Sequence, residues 1–411
     1  MGRLFSSVAI ASALLAAPVA AQVALPQVQV PSVGPVVDPL LQGTQGLAGE
    51  VLDGAGQLAQ ARLDRIDRLV RRNRQQIERD GAGEPARRGE IVLLDATPAQ
   101  REAAQAQGYS VIEQGQLGSL GMSFTRLAVP RGTDLGEAQR ELAALLPDAT
   151  MAPDNLYFAS GSAMPAPQQR TVGFSAAAGT AAAAVGMIDS APGQAVPVTR
   201  TRGFASGAGA ASDHGAAVAS LLRGAGVSRI MAADVYGTER AGGNALAIAR
   251  ALDWLVSEDV GVITISLVGP DNPVLARAIA SARTRGAVIV SAVGNDGPAA
   301  PPAYPASYAG VVAVTAVDRR ERALLEAGRA LHLDYAAPGA DIAGLDRRGR
   351  SQRLRGTSFA TPLVAARIAR ALGNGQQWRA TLDGEAHDLG ERGPDDTYGR
   401  GLVCRGCAAR D

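Results

Sequence analysis

Three short segments of the 411-residue chain contain the side chains of an acid, base and nucleophile set. Asp189 ends the run Val-Gly-Met-Ile-Asp, His214 lies in Asp-His-Gly-Ala-Ala-Val-Ala, and Ser358 lies in Arg-Gly-Thr-Ser-Phe-Ala-Thr-Pro. A serine hydroxyl is a weak nucleophile until a nearby base takes its proton, and the pKa of histidine suits that transfer near neutral pH. A carboxylate can hold the imidazole in the tautomer required. These residue types predict acyl transfer through Ser358 if the fold brings them together.

The residues around Ser358 predict that it lies at the start of a helix. Pro362 is tolerated in a helix when it lies in the first turn, so we expect the helix to begin close to it. A helix N-terminus favours negative charge developing beside it. His332, in an apparent strand, and His387, in a C-terminal loop, are weaker candidates for the base. Asp213 is the rival of Asp189, but neighbouring side chains at a helix start usually diverge.

The composition excludes several other chemistries. All 40 basic residues are arginine, so Ser-Lys dyads, Schiff bases and Walker-type phosphate loops are excluded. The formal net charge of +1 predicts no nucleic-acid partner. The three histidines are not at metal-ligand spacing, so we expect no metal site. Cys404 and Cys407 are the only cysteines; they form either a tight disulfide or two free thiols.

Short apolar, β-branched runs alternate with helical patterns in the second half of the chain. Strands are predicted over residues 182–188, 230–235, 260–267, 287–293 and 311–317, and helices over residues 216–222, 245–256 and 274–285. Buried apolar strands separated by helices predict an α/β fold with a doubly wound parallel sheet. Ligands bind beyond the carboxyl ends of such strands. We expect the candidate residues to lie at these strand ends or at the starts of helices.

A small α+β domain is predicted over residues 90–158, ahead of this sheet. The pattern of strand, helix, strand, strand, helix and strand is that of a ferredoxin-like domain. Thr97 and Gln100 predict a capping box at the first helix, and Asp134 predicts the cap of the second.

The N-terminal residues predict export. Residues 1–21 have the charge, the short apolar core and the small residues of a secretory signal. Residues 22–89 are expected to be a linker with an amphipathic helix over residues 61–79. We therefore expect an extracellular or periplasmic protein without a transmembrane helix.

The chain resembles the subtilisin-like (subtilase) serine peptidases. The similarity rests on His214-Gly-x-x-Val-Ala, on the Gly-Thr-Ser-Phe-Ala-Thr-Pro run around Ser358, and on the order Asp, His, Ser, which is known for that family. Ser190 after Asp189 also matches, although Ala-Pro follows where the family has Gly. The resemblance extends from about residue 185 to about residue 403. It implies that Asp189, His214 and Ser358 are catalytic.

The same resemblance implies an oxyanion hole and a substrate cleft. The segment Ala292-Val-Gly-Asn-Asp-Gly after a predicted strand is similar to the oxyanion-hole segment, so the Asn295 amide and the Ser358 N–H are the expected donors. Substrate is expected to bind as an added strand. Its implied contacts are Ser266, Leu267, Val268, Gly269, Gly242, Gly243, Ala292 and Gly294. Val268 replaces the commoner Gly, which predicts a narrowed pocket.

The resemblance thus implies a secreted serine endopeptidase made as a zymogen. Residues 90–158 would be its inhibitory propeptide, residues 159–411 its catalytic domain, and self-cleavage is expected near Phe158. Its partners would be a protein or peptide substrate and its own propeptide, and we expect a monomer after maturation. No cofactor is required, although members of the family often bind calcium for stability; no calcium loop is legible here.

Two alternatives belong to other classes. One is an inactive binding module on the same fold, which the complete set of four site residues disfavours. The other is an esterase or lipase, but the chain has no Gly-x-Ser-x-Gly elbow, and serine precedes histidine in that fold.

Overall fold

The computed structural model describes residues 38–160, 162–164 and 183–407, with side chains from Gly54 onward except at 162–164. The expected signal sequence (1–21) lies outside the described residues. The chain has two units, residues 1–50 and 51–411.

Helix α1 (Asp38–Arg72) begins inside the segment predicted as a linker, and it ends before Arg79, the predicted end of the amphipathic helix. The linker prediction is wrong for residues 38–56 because residues 40–72 contain no proline, and each glycine there costs a helix only about 1 kcal/mol. Within the described ranges, no helix is long and apolar enough to cross a bilayer.

From β2 (Pro85–Leu94) onward the small domain has the predicted α+β order, but β1 (Ile77–Arg79) adds a strand where the sequence predicts the end of the amphipathic helix. Thr97 and Gln100 form the predicted capping box, and the Asp134 side chain accepts from the Glu137 N–H at 2.8 Å. All strand pairs in its sheet are antiparallel; the order is β1-β2-β4-β3, and β5 pairs with β2. Its elements are β1 (Ile77–Arg79), β2 (Pro85–Leu94), α2 (Pro98–Ala106), β3 (Ser110–Leu117), β4 (Met122–Ala128), α3 (Leu135–Leu145) and β5 (Thr150–Asn155).

The larger domain contains the predicted parallel sheet, which confirms the α/β doubly wound class. Its seven strands have the order β15-β14-β13-β11-β8-β10-β9, and each pair is parallel. The strands of this part of the chain are β6 (Phe158–Ala159), β7 (Ser162–Met164), β8 (Val185–Asp189), β9 (Arg200–Gly203), β10 (Ile230–Asp234), β11 (Val262–Ile265), β12 (Leu267–Val268), β13 (Val288–Ala292), β14 (Val312–Val317), β15 (Tyr335–Pro338), β16 (Ala340–Leu345) and β17 (Ser351–Arg355). Its helices are α4 (Asp213–Gly224), α5 (Ala245–Ser257), α6 (Pro273–Thr284), α7 (Thr357–Gly373) and α8 (Trp378–Glu385).

Helices cover both faces of the parallel sheet. Successive side chains of β8 point to opposite faces, as in any strand. Val185 and Met187 pack with α4 and α7 on one face, and Ile188 packs with α5 and α6 on the other. A strand that is apolar on both faces is buried on both, which explains why β8 is hydrophobic without alternation.

Strand β8 lies between β10 and β11, so the strand order reverses on either side of it. A crevice opens beyond the carboxyl ends of strands at such a reversal. Asp189 is the last residue of β8, Ser266 follows β11 directly, and Asn295 lies three residues after β13. The sheet therefore brings these three side chains to one edge, as the sequence predicts.

The small sheet also has two buried faces. Ile91 and Leu93 of β2 pack with α2 and α3 of their own domain. Val92 and Leu94, which point to the opposite side, pack with residues of α5 and α6. One side of the small sheet is therefore covered by the larger domain, and the two domains share one hydrophobic core.

A buried carboxylate crosses this interface. Asp154 at the end of β5 is 1% exposed, and one of its oxygens accepts from the Leu246 N–H (2.9 Å) at the start of α5. Its other oxygen has no hydrogen-bond partner among the described residues. Burial raises the pKa of Asp154 from 3.8 to about 7; the Leu246 N–H and the charge of Arg87 oppose this rise without cancelling it.

We expect the stability of the chain to fall with rising pH because of Asp154. Its folded pKa lies above the unfolded value, so the native state holds the proton more tightly between pH 3.8 and about 7. The contribution is present below this window and is lost as the pH rises through it, with a slope of at most about 1.4 kcal/mol per pH unit. Urea unfolding from pH 4 to 8 should show this slope in the wild type and lose it in Asp154→Asn.

Asp148→Asn is the matched control, because Asp148 is an exposed aspartate just before β5. It should keep the wild-type slope. Equal slopes in the wild type and Asp154→Asn would show that Asp154 does not titrate as its burial requires.

Candidate active site

Asp189 and His214 meet at the edge of the parallel sheet. The Nδ1 atom of His214 lies 3.0 Å from both carboxylate oxygens of Asp189. A carboxylate only accepts hydrogen bonds, so Nδ1 carries the proton and the neutral ring has its lone pair on Nε2. Nε2 is buried and has no hydrogen-bond partner in the described part of the chain. The pair therefore presents an unpartnered basic nitrogen.

Two serines support the fully buried carboxylate of Asp189. Its Oδ1 accepts from the Ser190 N–H at 2.7 Å and from the Ser190 hydroxyl at 2.9 Å. The Ser190 hydroxyl also contacts that of Ser212, which caps α4 by accepting from the Gly215 N–H. The cap that starts the His214 helix is thus linked to the carboxylate that orients His214.

Gly215, directly after His214, has no room for a side chain. A Cβ on Gly215 would lie 2.2 Å from the Ser190 carbonyl oxygen. The glycine therefore lets α4 approach the end of β8, which brings His214 within reach of Asp189.

Ser358 is the second residue of α7, where its backbone N–H has no acceptor within the helix. Gly356, the N-cap residue, has φ +136°, a conformation that favours glycine. Pro362 is the sixth helical residue, so the expectation that it lies in the first turn is wrong. Its missing N–H leaves the Ser358 carbonyl free, and the Ser266 hydroxyl donates to that carbonyl at 3.0 Å instead.

The chain itself occupies the space in front of Ser358. The Ser358 N–H donates to the Ser160 carbonyl at 3.0 Å, and the Ser160 N–H points to the Ser266 carbonyl at 3.4 Å. The Ser358 hydroxyl donates to the Ser266 carbonyl at 2.9 Å. The Ser160 hydroxyl lies 2.7 Å from the Ser358 hydroxyl. Since the Ser358 proton is used in this way, Ser160 is the donor of the second bond. Ser358 is therefore not hydrogen-bonded to His214 in this structure.

Asn295 is oriented by the residue before Ser358. Its Oδ1 accepts from the Thr357 N–H at 3.1 Å, and the Thr357 hydroxyl donates to the Gly294 carbonyl at 3.1 Å. Because the Thr357 N–H holds Oδ1, the orientation of the whole amide group is fixed, and Nδ2 points away from this bond. Nδ2 is buried and has no partner in the described ranges. Asn295, Ser160 and His214 line one cavity of about 1070 Å³.

Several of the expected substrate contacts are made by the chain's own segment. Strand β6 (Phe158–Ala159) pairs antiparallel with Leu267 and Val268 of β12, and the Tyr157 N–H donates to the Gly243 carbonyl at 2.8 Å. A Cβ on Gly269 would lie 2.6 Å from the ring of Tyr157, so this glycine makes room for that buried ring.

Three other residues expected to contact substrate, Gly294, Ala292 and Gly242, have different surroundings. Gly294 and Val268 face each other, because a Cβ on Gly294 would lie 3.5 Å from both methyl carbons of Val268. Ala292 is buried in β13, and Gly242 packs against the Tyr236 backbone rather than against residues 157–160.

The remaining candidates lie elsewhere. His332 lies outside any strand, contrary to the prediction, and its Nε2 bonds the Val311 carbonyl at 2.8 Å. The backbone of His387 pairs with that of Leu402. Cys404 and Cys407 form a disulfide. Among residues 38–160, 162–164 and 183–407, no group of three or more His, Cys, Asp or Glu side chains could hold a metal ion.

The sequence missed three residues of this site. Ser160 lies beyond the predicted small domain (residues 90–158), Ser212 lies just ahead of the Asp213-His214 motif, and Thr357 is named only as part of the run around Ser358. Their roles depend on contacts across 62 to 198 positions or on hydroxyl pairing, which no local pattern signals. The N-cap preference for serine before a helix could have indicated Ser212.

Comparison with known proteins agrees with this geometry. The subtilase family model matches residues 196–401, just over half of the chain. Subtilisin Savinase of Lederbergia lenta is 32% identical over 204 residues, which are 47% of this chain and 74% of Savinase. The minor extracellular protease Epr of Bacillus subtilis strain 168 is 28% identical over 205 residues, 46% of this chain but only 32% of Epr. The chain thus spans about a third of the length of that relative.

The fold agrees as well. The crystal structure of fervidolysin from Fervidobacterium pennivorans, described as a keratinolytic enzyme related to subtilisin, matches with a TM-score of 0.64 and 16% identity. The match covers 78% of this chain and 61% of fervidolysin. The family match, the Savinase alignment and the parallel sheet agree, and the chain belongs to the subtilase family of serine peptidases.

Proposed function

We propose that the chain is the zymogen of an exported serine endopeptidase, with Ser358 as nucleophile, His214 as base and Asp189 as the group that orients the base. The observation that carries this proposal is the Ser358 N–H bonded to the Ser160 carbonyl at 3.0 Å. That carbonyl lies where an acyl group would be attacked, in a cavity also lined by His214 and Asn295. The similarity to Epr, an extracellular protease, supports export.

The reaction begins with a change of hydrogen bond at Ser358. Rotation about its Cα–Cβ bond takes the hydroxyl from the Ser266 carbonyl toward the lone pair of His214 Nε2. As Oγ bonds to the substrate carbonyl carbon, its proton passes to Nε2, and the imidazolium is stabilised by the buried carboxylate of Asp189. The carbonyl oxygen becomes an oxyanion that the Ser358 N–H and Asn295 Nδ2 stabilise.

The remaining steps return the proton and release the acyl group. His214 gives the proton from Nε2 to the leaving amine, the C–N bond breaks, and an ester on Ser358 Oγ remains. A water molecule then loses a proton to Nε2 as its oxygen attacks the ester carbon. Collapse of that intermediate returns the proton to Oγ and releases the carboxylic acid.

We infer that residues 90–158 act as the propeptide and that the bond cut in maturation is Ser160–Gly161. The sequence suggested a cut near Phe158, but the carbonyl bonded to the Ser358 N–H is that of Ser160. Strand β6 delivers this carbonyl, because it pairs with β12 as an added substrate strand would. A monomeric mature form and bound calcium remain predictions of the resemblance.

Labelling tests the proposed chemistry. A fluorophosphonate should modify Ser358 in the processed wild-type chain, whose new N-terminus should be Gly161. His214→Ala should remain unprocessed and unlabelled because Ser358 then lacks its base. His332→Ala, the matched control, should behave as the wild type, since His332 lies outside the cavity, where its Nε2 bonds the Val311 carbonyl and lies 3.6 Å from the Asp334 carboxylate.

Three results would contradict parts of this proposal. An unlabelled wild type that binds peptides without hydrolysing them would indicate the inactive module, and turnover of esters but not peptides would indicate an esterase. A Ser358→Ala chain cut at the same bond would exclude intramolecular processing.

Replacement of Asn295 should lower kcat with little change in KM. Asn295→Ala removes the Nδ2 donor, which stabilises only the oxyanion, so kcat should fall by about 10²–10³. Asn295→Asp keeps an acceptor for Thr357 but puts an oxygen in place of the donor, so its kcat should fall at least as far. Steady-state hydrolysis of a peptide by the processed variants measures both. Activity retained in Asn295→Asp would mean that Asn295 serves only to hold Thr357.

Val268 should restrict the residue that precedes the cut bond to a small one. Ser160 is small, and the methyl groups of Val268 lie close to Gly294 on the opposite wall. Ser160→Phe should therefore slow the appearance of the Gly161 N-terminus about tenfold or more. Val268→Gly should restore that rate and raise kcat/KM for peptides with a large residue before the cut. Equal cleavage of such peptides by the wild type and Val268→Gly would remove the assignment.

A further inference from the structure

Helix α1 reaches the rim of the same cavity, although the proposed mechanism does not use it. Arg62, Arg65 and Ile66 of this helix line the cavity together with His214 and Ser160. Ile66 is 3% exposed, which shows that this part of the helix is packed. The helix precedes the small domain in sequence and is separate from the β6 segment that occupies the cleft.

Helix α1 contacts the cavity rim at one turn, residues 296–297, which we call the rim turn. Arg65 donates to the carboxylate of Asp296 at 2.7 Å, and Arg62 Nε lies 3.5 Å from its other oxygen. The Leu58 side chain lies against Gly297, where a Cβ would be 2.9 Å from the Leu58 Cβ. Asp296 directly follows Asn295, whose amide is the proposed oxyanion donor. The helix is therefore attached beside the reacting carbonyl.

The same helix is attached to the small domain. Arg62 also pairs with Glu84 at 2.6 Å, and Asp67 pairs with Arg79 at 2.5 Å. Its Leu69 and Val70 pack with Ile77 and Leu156 in one apolar cluster. Phe158 of β6 also packs against this cluster, but the ion pairs that attach the helix to Asp296 and Glu84 do not involve residues 157–160. The helix thus connects the small domain to the rim turn.

We propose that α1 is a second inhibitory segment, which closes the Asn295 side of the cleft by docking Arg62 and Arg65 on Asp296. This inference rests on the proposed function. Cutting the Ser160–Gly161 bond separates α1 covalently from the catalytic domain but breaks none of these contacts. The cut N-terminal segment therefore stays bound until the ion pairs at Asp296 also open.

The alternative is that α1 only stabilises the small domain. Arg65 separates the two possibilities better than Arg62 does, because Arg62 also pairs with Glu84. Arg68 provides the control: it is an exposed arginine three residues further along α1, and no ion pair or hydrogen bond of it occurs in the described part of the chain. Replacing either arginine by alanine removes the same charge from the same helix.

The first measurement is the delay between cutting and activity in the full chain. The processed enzyme from Arg65→Ala and from Arg68→Ala is the same molecule, so any difference arises in the N-terminal segment. We expect peptide hydrolysis to follow the cut about two- to fivefold sooner in Arg65→Ala at low salt, and at the wild-type rate in Arg68→Ala. The difference should shrink in about 0.5 M NaCl, which screens ion pairs.

The second measurement does not require activity. In full-length Ser358→Ala, which retains the N-terminal segment, amide hydrogen exchange of residues 294–300 should increase when Arg65→Ala is added and not when Arg68→Ala is added. In an Asp296→Asn background, Arg65→Ala should produce no further increase, because the partner is already absent. This isolates the Arg65–Asp296 contact from general loosening of α1.

The outcomes separate the two proposals. If no variant hydrolyses peptides after the cut, the proposed function fails and inhibition by α1 fails with it. If hydrolysis occurs with the same delay in Arg65→Ala and Arg68→Ala, only the α1 proposal is overturned, even when the exchange data confirm the contact. Equal exchange in the two variants would overturn it as well.

Discussion

The buried carboxylate of Asp189 is the constraint on which the site depends. A charge removed from water is costly unless donors surround it, so the residues around Asp189 are those that can donate. The Ser190 N–H, the Ser190 hydroxyl and His214 Nδ1 all bond to Oδ1, whereas the buried Oδ2 lies 3.0 Å from Nδ1 but has no hydrogen bond of its own among the described residues. The contacts of Nδ1 with this carboxylate fix the imidazole, so that the neutral ring has its proton on Nδ1 and its lone pair on Nε2. The tautomer that the proposed chemistry needs follows from the stability of the folded chain.

The sheet and two helix starts position the other residues of the site around Asp189. Asp189 ends a central strand, His214 is the second residue of α4, and Ser358 is the second residue of α7. Each helix start carries backbone N–H groups without helical acceptors. At α4 the Ser212 side chain satisfies one of them. At α7 the N-cap is a glycine with no side chain to do so, and the carbonyl of Ser160 takes that position.

Much of this could be predicted because the signals are local. The apolar runs of the parallel strands, the Thr97 capping box and the order of the small domain depend on neighbouring residues, and the structure confirms them. Strand β9 (Arg200–Gly203) could not be predicted: it is an exposed edge strand whose polar sequence carries no alternation. The start of α1 was missed because glycine-rich sequence suggested a linker.

The unpredicted parts of the site share one cause, which is pairing between distant segments. The position of Pro362 in the second turn of α7 depends on the Ser266 hydroxyl, which satisfies the carbonyl that the proline leaves free. The need for Gly215 depends on the backbone of Ser190. Ser160 matters because β6 pairs with β12, which lies far away along the chain. A sequence pattern identifies a residue's type and its neighbours, whereas these roles are set by what another segment brings opposite.

The division between partnered and unpartnered groups in the cavity agrees with the proposed mechanism. Several groups at the cavity already have partners from the N-terminal part of the chain: the Gly243 carbonyl accepts from the Tyr157 N–H, Asp296 pairs with Arg65, and the Ser358 N–H holds the Ser160 carbonyl oxygen on which the proposed oxyanion would form. His214 Nε2 and Asn295 Nδ2 are buried without partners. Under the proposed mechanism, these two atoms act only when a proton leaves Oγ and charge builds on the carbonyl oxygen. A site complementary to the transition state should leave such groups unsatisfied beforehand, because an interaction that is first made in the transition state lowers the barrier by its full free energy. Under the proposal that the N-terminal segment inhibits the enzyme, that segment occupies the cleft without using His214 Nε2 or Asn295 Nδ2.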